Sequence, residues 1–147
     1  MTTAADQRGP IVVGVDGSDE SKAALAWALH QAQLTGGRLR VITTWEFPTL
    51  YGQGLIGVEG LDFAADARTE LEKTVAEVVG NDAGVEIEQL VIEGHPALEL
   101  TAQVEDAELV VVGSRGRGEF IGMLIGSVSE FLATHSACPV VIIRGPN

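Results

Sequence analysis

Ile11-Val12-Val13-Gly14-Val15-Asp16 and Leu109-Val110-Val111-Val112-Gly113 are short runs made almost wholly of β-branched residues. They show neither a helical period nor a strict alternation of apolar and polar positions. A strand apolar at successive positions has to be covered on both faces, and a parallel sheet sandwiched between helices provides that cover. The segments between such runs carry the matching helical signals. Ser18 is an N-cap with Asp19 and Glu20 in the favourable first turn, and Leu25, Ala28, Leu29 and Ala32 form one stripe through about Gln33, closed by Gly36-Gly37. Arg38 to Trp45 reads as a second strand. Phe47 to Gly60, with Pro48 and glycines at 52, 54, 57 and 60, reads as a mobile loop whose length points to function or disorder.

A second helix is expected over Asp62 to Val79 on the stripe Ala64, Ala67, Leu71, Val75 and Val78, stopped by Gly80-Asn81. Val85 to Ile92 alternates only partly, which suits an edge strand. Gly94-His95-Pro96 starts a helix that runs to about Glu105, with proline in its first turn. A last helix covers Ser127 to His135, and Pro139 to Arg144 is a terminal strand. The order βαβαβαβαβ specifies an α/β fold with a doubly wound, five-stranded parallel sheet of Rossmann-like form. Ligands of such sheets bind beyond the carboxyl ends of the strands, where the strand order reverses. If the first and fourth strands are neighbours there, Asp16 and Gly113 meet at one crevice.

The length of 147 residues corresponds to one domain, expected over 10–147 behind a disordered segment 1–9. No apolar run has the length to span a bilayer and the first ten residues lack the pattern of a secretory signal, so a cytoplasmic location is expected. The lone Cys138 excludes an internal disulfide and reads as a small core residue. A net charge of −12 argues against nonspecific nucleic-acid binding and against anionic membranes. Among nine basic residues, Arg115 and Arg117 stand together in a glycine-rich turn, which reads as a local anion site on an acidic protein.

That turn, Gly113-Ser114-Arg115-Gly116, is followed after nine residues by Gly126-Ser127 at the start of the last helix. Glycines let backbone N–H groups approach an anion, and a helix N-terminus adds a favourable dipole, so the two pieces read as a split phosphate cradle. A Walker loop is absent, the chain having only Lys22 and Lys73 as lysines. Gly116-Arg117-Gly118-Glu119-Phe120-Ile121 fails the dinucleotide fingerprint at its sixth position. A receiver domain would need an aspartate after strand three and a late lysine, and neither is present.

The Gly113-x-x-Gly116, nine residues, Gly126-Ser127 pattern resembles the nucleotide-binding signature of the universal stress protein family. The resemblance extends over residues 10–144 through Val13-Gly14-Val15-Asp16-Gly17-Ser18, Gly94-x-Pro96, and Cys138-Pro139-Val140-Val141-Ile142-Ile143. It implies an adenine nucleotide alpha hydrolase-like sheet of order 3-2-1-4-5. It also implies residue roles: Asp16 on the ribose hydroxyls, Gly14 and Val15 beside it, and Thr44 at the adenine edge through its backbone. Gly113, Arg115 and Gly116 would line the phosphates, and Gly126, Ser127, Val128 and Ser129 would complete the cradle. ATP is the implied ligand, with Mg²⁺ or Mn²⁺ accompanying its phosphates. The apolar strand Val140-Val141-Ile142-Ile143 would pair with a second copy as an edge, giving a homodimer. Thr43 departs from many relatives, which carry histidine there.

No catalytic set emerges. Glu119 is the only acid in the glycine turn, and His30, His95 and His135 share no spacing, His95 alone being placed to approach a ligand. The expectation is therefore an ATP-binding module of stress response or signalling rather than an enzyme. The alternatives are a slow ATP hydrolase and a dimeric interaction protein that binds no nucleotide.

Overall fold

The computed structural model describes residues 8–47, 62–116 and 125–145. The expectations for the first seven residues, for 48–60 of the glycine-rich loop, and for Arg117 and Glu119 lie outside the described residues. The elements are β1 (Ile11–Gly14), α1 (Asp19–Thr35), β2 (Leu39–Trp45), α2 (Phe63–Val79), β3 (Ile87–Glu93), α3 (Pro96–Gln103), β4 (Leu109–Gly113), α4 (Ser127–His135) and β5 (Val140–Ile143). The strands form one sheet of order β3-β2-β1-β4-β5, with every neighbouring pair parallel. The chain moves outward from β1 through β2 to β3, then returns to place β4 on the other side of β1. The order thus reverses between β1 and β4, the neighbours whose turns were expected to share a crevice.

The two-residue period of the strands divides the core between two faces. Ile11, Val13, Val41 and Val111 turn toward α1 and α2, where Ala24, Leu25, Ala28, Ala32, Leu71 and Val75 cover them. Val12, Ile42, Val110 and Val112 turn the other way, against Leu100 and Val104 of the α3 segment and Leu132 of α4. The central strands are thus buried on both sides, as their unbroken apolar runs require. Each such side chain, once taken from water, is worth roughly 1.5–3 kcal/mol. None of the seven β3 residues is fully buried, which accounts for their mixed pattern at one edge, and the four β5 residues are partly covered at the other.

Several boundaries differ from the sequence reading. β1 ends at Gly14 rather than Asp16, because the chain leaves the sheet after Val15 N–H donates to Ile42 O (2.9 Å) and turns through Gly17 at φ 82°. α1 continues to Thr35, where Gly36 closes it in the left-handed conformation at φ 72°. β3 begins at Ile87 rather than Val85, and α3 ends at Gln103 rather than near Glu105. Cys138 is partly rather than fully buried, against the α3–α4 face of the core.

Candidate functional site

The turn after β1 is a set of short-range hydrogen bonds that fixes Asp16 at the carboxyl end of the sheet. Its Oδ1 accepts from Ser18 N–H (2.9 Å), and its own N–H donates to Ser21 Oγ (3.2 Å). Ser18 Oγ caps α1 by accepting from Ser21 N–H (3.2 Å), and Ser21 Oγ donates back to Ser18 O (2.9 Å). The carboxylate therefore lies at the rim in one orientation. A side chain on Gly116 would come within 2.7 Å of Asp16 Oδ2, so the β1 and β4 turns touch across the switch point.

β2 outruns β1, and this opens a backbone edge. Pairing between them stops at Gly14 with Ile42, and Ile42 O takes Val15 N–H. Peptide groups of a strand alternate in direction, so those of Thr44 point the same way as those of Ile42, past the end of β1. The intervening Thr43 and Trp45 belong to the β3 side, where Gly94 N–H donates to Trp45 O (2.9 Å).

The turn after β4 is held from every side. Ser114 N–H donates to Ile143 O (2.8 Å) of β5, and Ser114 O accepts from Gly126 N–H at the start of α4. Ser114 Oγ donates to Glu20 Oε2 (3.1 Å), and Arg115 N–H donates to the same oxygen (2.7 Å). The Arg115 guanidinium pairs with Glu20 Oε1 at 3.0 Å. Ser129 Oγ donates to Gly113 O at 2.6 Å. Gly113 is needed for packing, since a Cβ there would lie 2.9 Å from Glu20 Cβ and 3.0 Å from the Glu20 carbonyl carbon.

These parts surround a cavity of about 570 Å³, room for a mononucleotide-sized ligand. Gly14, Val15, Asp16, Thr44, Gly113, Arg115, Gly116, Gly126, Ser127 and Val128 all line it. Ser129 does not; it is buried, and its hydroxyl is committed to the β4 turn. Arg115, expected at a local anion site, borders the cavity with its guanidinium paired to Glu20 Oε1. α4 opens at Gly126, which has no side chain to cap it, and its N-terminus borders the same space with the positive end of the helix dipole.

Other lining residues were not singled out in the sequence. Trp45 and Phe63 form an aromatic wall with ring centroids 6.4 Å apart, and Phe47 stands edge-on to both. Asp66 and Glu70, one helical turn apart on α2, and Glu46 add carboxylates to the rim. Such residues read from sequence as an ordinary solvated face, and only the packing of α2 beside β2 turns them to the cavity. His95 also lines it, but its Nδ1 accepts from Ala97 N–H (3.2 Å) as the cap of α3. His30 is exposed on α1, and His135 stacks on Phe131 with centroids 4.1 Å apart. Among the described residues no three His, Cys, Asp or Glu side chains converge on a metal position. No described helix is long and apolar enough to cross a membrane.

Comparison with known proteins places this geometry. The model of the universal stress protein family matches residues 7–144. Universal stress protein Rv2623 of Mycobacterium tuberculosis is 35% identical over 148 residues, covering 94% of this chain and 46% of the relative. This chain thus spans about half the length of that mycobacterial protein. Universal stress protein YxiE of Bacillus subtilis is 31% identical over 144 residues, covering 91% of this chain and 97% of its own. A solved universal stress protein in complex with cAMP superposes with a TM-score of 0.69 at 28% identity, covering 94% of this chain and 98% of the other. With the sheet order, the switch-point cavity and these matches together, the chain belongs to the universal stress protein family.

Proposed function

We propose that the cavity binds an adenine nucleotide, with ATP as its principal ligand, and that the protein works as a nucleotide-dependent module of stress response in the cytoplasm. The observation that carries this reading is the convergence of four unlike parts on one cavity. Asp16 presents a carboxylate suited to ribose hydroxyls. Thr44 presents a backbone N–H and C=O, the donor and acceptor pair that an adenine edge requires. The Gly116 turn and the α4 N-terminus present backbone N–H groups and a dipole suited to phosphates. The solved relative with bound cAMP supports an adenine ligand. A divalent cation would enter as the companion of the phosphates, since the described residues do not build a protein-held metal site.

The test is a mass spectrum of the small molecules released by heating freshly purified protein, followed by titration of the emptied protein with ATP. Stoichiometric adenine nucleotide and saturable rebinding are expected. Failure to retain labelled ATP on dialysis selects the interaction-protein reading. Robust single-turnover hydrolysis that is abolished by Ser127→Ala selects the hydrolase reading.

A homodimer through β5 belongs to the same proposal. Val140 to Ile143 form an edge strand whose residues are all partly exposed. Pairing with a second copy would cover them. Sedimentation is expected to show a dimer that Val141→Lys with Ile143→Lys converts to monomer; a monomeric native protein overturns it.

A further inference from the structure

We propose that Glu20 is the positioning residue of the nucleotide cavity, an inference that rests on the adenine-nucleotide reading for its ligand. Glu20 belongs to the first turn of α1, and its side chain is only 15% exposed. Its stem passes between two glycines. A Cβ on Gly113 would lie 2.9 Å from Glu20 Cβ, and one on Gly145, just past β5, would run into Glu20 Cγ. The slot so formed leads the carboxylate to three donors of the β4 turn: Arg115 N–H at 2.7 Å, Ser114 Oγ at 3.1 Å and the Arg115 guanidinium at 3.0 Å. One oxygen takes the backbone and the hydroxyl, while the other takes the guanidinium.

The arrangement exceeds what helix capping needs. An acidic residue in a first turn satisfies the dipole from a solvated position. Here the carboxylate is drawn inward and spent on a turn nearly a hundred residues away. With Arg115 N–H and its guanidinium both fixed, the turn has one conformation, in which Gly116 lies against Asp16 and Arg115 borders the cavity. Charge-assisted hydrogen bonds of this kind are the strong ones, and a preorganised turn spares the ligand the cost of ordering it.

The experiment compares native protein with Glu20→Ala and Glu20→Gln by residue-resolved amide hydrogen exchange without ligand and by ATP titration. Glu20→Ala is expected to speed exchange at Arg115 N–H at least about tenfold, leave Val12, Val13 and Val111 protected, and weaken ATP binding about tenfold, the size expected for a charge-assisted hydrogen bond. Glu20→Gln keeps an acceptor oxygen but loses the ion pair, and is expected to fall between. Native exchange at Arg115 in Glu20→Ala overturns the proposal, as does faster exchange with unchanged ATP affinity. Equal loosening of β1 and β4 also overturns it, because Glu20 would then hold the fold rather than the turn. If native protein binds no ATP, the nucleotide reading fails, while the exchange measurement still decides whether Glu20 holds the turn.

Discussion

Arg40 and Arg115 stand at opposite ends of the same sheet and are used differently. Arg40, near the amino end of β2, binds Glu88 Oε1 (2.7 Å), Asp106 Oδ1 (3.1 Å) and Gln103 O (3.3 Å), tying β3 and the end of α3 to the centre. Burial alone would lower its pKa, but hydrogen bonds and attraction from the two carboxylates outweigh that and leave it raised. The guanidinium stays charged throughout the accessible pH range. Arg115, at the carboxyl end, pairs with the Glu20 carboxylate and borders a cavity. Its surroundings include glycine backbone and the α4 N-terminus, and Asp16, Asp66 and Glu70 line the same cavity. The amino end is closed by charge pairing; the carboxyl end is held from behind and left open in front. The same sheet thus carries a fastening end and, on the proposed function, a binding end, in keeping with ligands sitting beyond the carboxyl ends of parallel strands.

The largest expected effect falls on the carboxyl end. Gly113→Val pushes a branched side chain into the backbone of the first turn of α1, which cannot swing away as a side-chain tip could. Overpacking of this kind is expected to cost about 3 kcal/mol. Urea denaturation should show the loss as a lower midpoint with an unchanged slope. If the variant is as stable as the native protein, Gly113 serves the ligand alone and the carboxyl end is not held from behind.

Ser129→Ala comes next. The buried hydroxyl donates to Gly113 O at 2.6 Å and touches Ser114 O at 3.4 Å, so its removal leaves a carbonyl short of a donor inside the protein. A cost of about 1–2 kcal/mol is expected. Because this bond lies behind the turn, ATP affinity should also fall, and titration alongside denaturation separates the two effects. A native-like affinity together with the stability loss would detach Ser129 from the binding end.

What the sequence made legible divides along the same line. The parallel sheet and its two-sided core follow from local signals: β-branched runs, helical stripes and terminating glycines such as Gly36; the meeting of Asp16 with the β4 turn also needed the strand order that the family resemblance implied. The Gly113-to-Ser127 spacing carried Gly113, Arg115, Gly116, Gly126, Ser127 and Val128 of the lining because they belong to two short contiguous segments. Glu20, Ser129 and Arg40 were not legible as fasteners. Each acts through a partner remote in sequence or facing inward, and each residue type has an ordinary local use that hides the other. Glu20 looks like a dipole-compensating acid, Ser129 reads by resemblance as part of the phosphate cradle, and Arg40 looks like a solvated strand position. Arg115 was read as a cation awaiting an anion because nothing near it in sequence announces Glu20.

The smallest effect is the sharpest test of the contrast. Arg40→Met keeps much of the aliphatic stem while removing the charge that joins Glu88, Asp106 and Gln103. Both carboxylates are more than half exposed, so neither is stranded when the cation goes, and water takes over their solvation. Pairs of this exposure are worth a few tenths of a kcal/mol up to about 1 kcal/mol each. A total loss of about 1 kcal/mol is therefore expected from urea denaturation. The loss should shrink at high salt, where exposed pairs are screened. ATP affinity should stay within about twofold of native, since sites that share no partner and lie far apart behave additively. A tenfold loss of affinity in Arg40→Met would show that the amino-end pairing is felt at the cavity through β2, whose far end carries Thr44, and the division of the sheet into a fastening end and a binding end would then fail.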